Sequence, residues 1–181
     1  MKYGKDTIAH DVLELGFSHA GLAEISTLTV MTEVRDMCAV DKCRAYNRTW
    51  TCPPGCGTLE ECDARMQKYD WGLLVQTTAE LEDSMDYEAM MEANENQKEN
   101  SKKLLKELRE VYPDVLALCS AGCDICKTCT FPDAPCRFPE KALSAMEGYG
   151  LLVSDVCKKN DLKYYYGTNT VTYTALFLIK E

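Results

Sequence analysis

Cys119-Ser-Ala-Gly-Cys123-Asp-Ile-Cys126-Lys-Thr-Cys129-Thr-Phe-Pro-Asp-Ala-Pro-Cys136-Arg-Phe-Pro139 is the stretch on which the reading of this chain turns. Three cysteines at successive two-residue gaps let consecutive backbone turns aim their thiolates at one centre. A more remote cysteine, followed soon by proline, closes the shell. The ferredoxin run C-x2-C-x2-C-x3-C-P follows the same logic. Here the last gap is longer and Arg137-Phe138 stands before Pro139, so the match is partial. Zinc needs only a tetrahedron and fits the same four thiolates, whereas the tandem steps favour a cube-shaped iron–sulfur cluster. Cys123, Cys126, Cys129 and Cys136 are therefore the candidate downstream ligands, and Cys119 reads as a spare thiol at a strand end.

Upstream lies a looser group, Cys38-x4-Cys43-x8-Cys52-x3-Cys56, stiffened by Trp50 and by Pro53-Pro54-Gly55. Cys38, Cys43, Cys52 and Cys56 are its candidate ligands. Cys62 falls inside an expected helix, where cysteine often behaves as a small hydrophobe, and Cys56 is preferred to it as the fourth ligand. Cys157 reads as core packing. Lys42, Arg44, Arg48, Lys127 and Arg137 sit among these thiols, where cations would raise a cluster's potential or meet an anionic partner.

The rest of the chain supplies a scaffold for these two loops. Ile8, Val12, Leu13 and Leu15 have helical spacing up to Gly16, and Ala20 to Ile25 reads as a short strand. Thr58 and Glu61 form a capping-box pattern opening a helix to about Tyr69. Trp71 to Thr77 reads as a buried strand. Residues 82–112 read as one helix with a solvated middle, or as two helices joined near Asn100-Ser101, stopped by Pro113. Val115 to Leu118 is a strand, Pro139 opens a helix ending near Gly148 and Gly150, and Tyr164 to Tyr166 pairs with Val171 to Ile179 around Gly167-Thr168-Asn169 as a hairpin. The expected fold class is α+β: one domain over 1–181, a compact sheet-and-helix layer with cysteine-rich loops at about 38–62 and 119–139.

Composition narrows the function. The chain has 181 residues, eleven cysteines, two histidines and a formal net charge of −9. That charge disfavours nucleic acid and anionic membrane surfaces as partners. No stretch approaches the roughly 20 apolar residues of a membrane span, and Met1-Lys2-Tyr3-Gly4-Lys5-Asp6 lacks an apolar signal core. The expectation is a cytoplasmic protein of oxygen-poor conditions. In a reducing compartment, clustered thiols favour metal over disulfides. With only His10 and His19 available, both far upstream, the site must be built from thiolates, which suits zinc or iron–sulfur.

Longer stretches carry a resemblance. They are Cys43-Arg-Ala-Tyr-Asn-Arg-Thr-Trp-Thr-Cys-Pro-Pro-Gly-Cys-Gly-Thr-Leu-Glu-Glu-Cys62, Leu81-Glu-Asp-Ser-Met-Asp86, Thr130-Phe-Pro-Asp-Ala-Pro-Cys-Arg-Phe-Pro-Glu-Lys141, Met146-Glu-Gly-Tyr-Gly150 and Tyr164-Tyr-Tyr-Gly-Thr-Asn-Thr-Val-Thr-Tyr-Thr174. In these the chain resembles the predicted metal-binding proteins called domain of unknown function 2284. The resemblance implies metal binding, with Cys43, Cys52, Cys123, Cys126, Cys129 and Cys136 as ligands and iron–sulfur as the metal form, and it implies no particular reaction.

Three functions follow as expectations. The first is an electron-transfer or redox accessory protein with one or two four-iron four-sulfur clusters and a redox partner protein. The second is an iron–sulfur enzyme with an open-site cluster acting on a small molecule. The third is a zinc-stabilised interaction module. No phosphate-binding glycine loop is present, no serine–histidine pairing has matching context, and Glu80-Leu-Glu-Asp83 reads as a solvated loop.

Overall fold

Strand β2 (Trp71–Glu80) is buried along an unbroken run rather than on alternate residues. A strand covered on both faces needs apolar side chains on both, and Trp71-Gly-Leu-Leu-Val75 supplies them. In the computed structural model, which describes residues 3–120 and 122–181, β2 belongs to a five-stranded sheet. The other strands are β1 (His19–Ala23), β3 (Asp114–Cys119), β4 (Ser144–Ala145) and β5 (Thr170–Lys180), in the order β1-β2-β5-β3-β4. Neighbours run antiparallel except β3 and β4, which are parallel. β2 and β5 form the long central ladder, from Trp71 opposite Ile179 to Glu80 opposite Thr170.

The period-2 alternation then divides the core. Trp71, Leu73 and Val75 join Ala175, Phe177 and Ile179 on one face, against Ile8, Val12 and the Leu104, Leu105 and Leu108 stripe of helix α4 (Tyr87–Val111). Leu74, Leu176, Leu178 and Leu118 point the other way, against Cys62 and Met66 of helix α3 (Leu59–Met66), Met146, Tyr149 and Val156. The fold is α+β, with the sheet as a middle layer.

Several local readings hold. Helix α1 (Ile8–Asp11) runs on as a 3-10 turn, Val12–Leu15, and ends at Gly16 in the left-handed conformation, φ 98°. Both bonds of the capping box form: Glu61 N–H donates to Thr58 Oγ1 (3.1 Å) and Thr58 N–H to Glu61 Oε2 (2.8 Å). Residues 87–111 form one continuous helix, so the alternative of two helices joined near Asn100-Ser101 falls. Its core-facing stripe continues through Gln97 and Ser101, which are fully buried. Gln97 donates to the Val75 carbonyl (3.2 Å) and accepts from Thr77 Oγ1 (2.6 Å). A buried polar side chain that is fully bonded can occupy a core position, and so hydrophobic periodicity vanished where the helix did not.

Two readings are corrected. The segment after Pro139 is not a helix: it forms turns, the short strand β4, and a 3-10 turn, Glu147–Tyr149, ending at Gly150 with φ 75°. Proline permits a helix start but does not drive one, and Leu143 and Met146 are drawn to opposite faces of the sheet. Tyr164 to Tyr166 is no strand and makes no hairpin, because β5 pairs with β2 and β3 on its two edges. Tyr166 instead stacks on His19 at 4.0 Å and donates to Gln76 Oε1 at 2.7 Å. Helices α2 (Thr32–Ala39) and α5 (Val153–Lys159) escaped the pattern reading; α2 buries only Val34, too little for a visible period. Among the described residues no helix is long and apolar enough to cross a membrane. Met1 and Lys2, which open the stretch read as lacking a signal core, lie outside the described residues, as does Ala121.

Candidate metal centre

Cys38 ends helix α2, and the chain then coils through a loop without regular structure to Cys43 and Cys52. Asp41, Arg44 and Asn47 take positive φ of 55°, 56° and 55°. Non-glycine residues seldom adopt that conformation, and local bonds hold it here. Asp41 Oδ1 accepts from Tyr46 N–H (3.0 Å), and Asn47 N–H donates to the Pro53 carbonyl (2.8 Å). The turn past Cys52 is equally tight: a Cβ on Gly55 would sit 2.3 Å from the Thr49 carbonyl oxygen. Opposite, Gly122 follows the exit of β3, where a Cβ would meet Cys52 Sγ at 3.3 Å. The downstream loop thereby passes close against the upstream one.

The result is a cavity of about 630 Å³ lined by Cys38, Cys43, Cys52 and Cys123 together with Lys42, Tyr46, Lys98, Asp124 and Glu147. Three of these cysteines come from the first loop region and one from the second. Burial pushes the Cys38, Cys52 and Cys123 thiols up from the ordinary value. Further upward pushes come from Glu147 and Cys43 on Cys38, and from Cys43 and Cys123 on Cys52. Burial of this kind disfavours the bare thiolate, and a bound cation would offset that cost. Burial also raises the Glu147 carboxyl. On the rim, Lys98 and Lys102 approach Asp124 at 3.9 Å and 3.1 Å.

The downstream cysteines enclose something different. Cys123, Cys126, Cys129 and Cys136, with Trp50, Ile125 and Phe138, surround only about 20 Å³, roughly room for one water molecule. The loop is held by its own contacts and by Trp50 of the upstream loop. Trp50 Nε1 donates to the Ala134 carbonyl (3.0 Å), Thr130 Oγ1 to the Pro135 carbonyl (2.8 Å) and Arg137 Nη1 to the Thr128 carbonyl (2.9 Å). Trp50 meets Phe131 edge-on at 4.9 Å. Cys123 lines both cavities. Among the described residues, no three His, Cys, Asp or Glu side chains converge on a single-ion site.

Cys56 is not with the other upstream thiols. It is buried beside Cys62 in the core behind the loop. Arg35 of α2 reaches both sulfurs, Nη2 lying 3.3 Å from Cys62 Sγ and 3.7 Å from Cys56 Sγ. The Cys56 contact, with Arg35 and Arg65, brings the Cys62 thiol down despite burial, and Cys56 is pushed up. Cys119 is buried against Ser101 Oγ (3.7 Å), and Cys157 accepts from Gln76 Nε2 (3.6 Å); both are core residues. Among the loop cations only Lys42 lines the larger cavity; Arg44, Arg48, Lys127 and Arg137 are exposed. Lys98, Glu147 and Arg35 were not anticipated. Lys98 looks like any charge in the polar middle of α4, and Glu147 fell in a misread segment. Arg35 alone had a signal, standing one turn before Cys38 on a helix.

The loops of this mixed sheet bring thiols to two cavities, and a dense thiol set with few histidines is the donor chemistry that suits soft metals. The chain belongs to the predicted metal-binding protein family, domain of unknown function 2284, whose model matches residues 22–179. No curated protein and no solved structure matches it significantly.

Proposed function

We propose that this chain is an iron–sulfur protein with a redox role, its cluster held by Cys38, Cys43, Cys52 and Cys123. The observation that carries the reading is the large cavity on which these four thiols border. A single zinc with bonds of ~2.3 Å would draw four thiolates to within about 3.8 Å of one another and need no such space. A four-iron four-sulfur core requires a volume of its own, and the larger cavity offers about 630 Å³. Lys42 and Lys98 at the rim would offset the negative charge of a four-thiolate cluster and raise its potential. Bound there, the cluster would supply one-electron transfer. A redox partner protein and a reducing, oxygen-poor cytoplasm complete the proposal, in keeping with a chain whose eleven cysteines cluster at metal-ligand spacings.

A second reading concerns the downstream group. Seven thiols border the two cavities, whereas two four-thiolate clusters need eight. With Cys123 committed to the larger cavity, Cys126, Cys129 and Cys136 leave one metal position for a non-protein ligand. A zinc, which needs no large volume, would hold that position open to a small molecule, and this supports an enzyme-like role for that group.

Metal and acid-labile sulfide analysis of anaerobically purified protein tests both readings. A brown protein with iron and sulfide in equal amounts is expected, and Cys38→Ser should lower both. Colourless protein carrying only stoichiometric zinc would overturn the iron–sulfur assignment.

A further inference from the structure

Two of the chain's thiols stand apart from both cavities and from the core cysteines Cys119 and Cys157. Cys56 and Cys62 lie together in the core, at 6% and 0% exposure, with Cys62 Sγ donating to the Cys56 carbonyl at 3.5 Å. Three elements converge on the pair. Cys62 lies near the start of α3, Cys56 closes the Pro53-Pro54-Gly55 turn, and Arg35 of α2 spans both sulfurs. The Arg35 guanidinium also donates through Nη1 to the Gly57 carbonyl (2.7 Å), while its Nε is buried without a partner. Among the described residues neither Arg35 nor Arg65 is paired with a carboxylate; Arg65 bonds the Cys56 carbonyl (3.1 Å) and the Tyr149 hydroxyl. A partly buried cation needs a counter-charge, and the atoms Arg35 meets are two sulfurs and a carbonyl. A guanidinium beside both sulfurs favours the thiolate, the form that reacts.

We propose that Cys56 and Cys62 form a redox-active dithiol, a modification site separate from the metal thiols, that closes to a disulfide with a small peroxide. The Cys62 sulfur attacks one peroxide oxygen, the O–O bond breaks, and a sulfenic acid forms with release of the first water. The Cys56 sulfur then displaces the hydroxyl from Cys62, forming the S–S bond and releasing a second water. Two S–H bonds and one O–O bond are lost, the dithiol is oxidised by two electrons, and the peroxide is reduced to two waters. Cys56 N–H donates to the Cys52 carbonyl at 3.0 Å, so the new bond would tie α3 to the turn that carries a candidate metal thiol.

The test is made on anaerobic, metal-loaded protein treated with one equivalent of hydrogen peroxide, quenched in acid, alkylated and digested with trypsin. Cleavage after Arg48 and Arg65 gives one peptide holding Cys52, Cys56 and Cys62. The expected product has lost two hydrogens, carries one alkyl group on Cys52, and regains the other two after reduction. Cys62→Ser should abolish that loss while its iron content equals wild type. Alkylation of all three cysteines after peroxide, or a bond that engages Cys52, would overturn the proposal. So would loss of iron from Cys62→Ser, because the pair would then be metal ligands. Protein that holds no iron yet forms the Cys56–Cys62 bond would sink the cluster reading and leave the dithiol standing.

Discussion

The cavity bordered by Cys38, Cys43, Cys52 and Cys123 takes its walls from elements that also build the core. These are α2, which buries Val34, the exit of β3, the Glu147–Tyr149 turn and the Lys98 turn of α4. The smaller cavity is walled by its own loop and by Thr49, Trp50 and Thr51, with no helix or strand contributing a side chain. The donor chemistry is the same in both. One cavity is walled in part by helices and a strand end, and the other by turns alone. Short spacing in sequence therefore marks how easily thiols can meet, and it does not mark how firmly they are held.

Stripping the metal should separate the two regions most clearly. Residues 122–143 bury few large apolar side chains, so ligand bonds must supply much of their ordering. In chelated protein, tryptic cleavage after Lys127 and Arg137 should accelerate at least ~10-fold, the signature of a region whose local opening has become easy. Cleavage after Arg109, near the end of α4, should change little. Equal acceleration at all three positions would mean that the loop is no less anchored than the core.

Substitution of the shared thiol sharpens the comparison. Cys123→Ser should cost as much iron as Cys38→Ser, because both border the larger cavity, whereas Cys126→Ser, which borders only the smaller one, should cost less. Iron counts and electron paramagnetic resonance of the three variants measure this. If Cys126→Ser loses the most, the iron sits at the smaller cavity.

Smaller effects probe the anchored side. Gln97→Ala removes the partner of the buried Val75 carbonyl and Thr77 hydroxyl, and should cost about 1–3 kcal/mol of unfolding free energy. Denaturant titration should show this with iron content near wild type. Thr58→Ala deletes the cap of α3 and should cost roughly 1 kcal/mol, read as a shift in the same midpoint. A loss of iron in either variant would tie the metal to the scaffold more closely than their positions suggest.

Much of the fold was legible because its signals are local. The Trp71 to Val75 run, the Thr58–Glu61 box and the Gly16 stop each depend on residues within a few positions of one another. Gln97 and Ser101 hid the unity of α4, since a satisfied polar core residue has no hydrophobic signature. The Tyr164 to Tyr166 segment looked like a strand, yet its one inward member, Tyr166, is spent on His19 and Gln76. In the cysteine loops, residue type was readable and partnership was not. Cys56 lies four residues from Cys52, which suits a ligand, but the tight turn at Gly55 aims it backwards into the core. Cys123 lies far from Cys38 in sequence, and only the pairing of β3 with β5 delivers it to the same cavity. Spacing can rank nearby thiols; it carries no information about those brought together by a sheet.

The short parallel pairing of β3 with β4, Leu118 opposite Ser144 and Cys119 opposite Ala145, clamps residues 120–143 at both ends. An excursion held at its two feet has already lost most of the freedom that ring closure would take away. Its thiols then meet at the high effective concentration of groups on a short tether, even when nothing is bound. Reloading should accordingly behave as a unimolecular closure once the first bond to metal has formed. Emptied protein should recover its centre at a rate set by metal delivery rather than by the search of the chain.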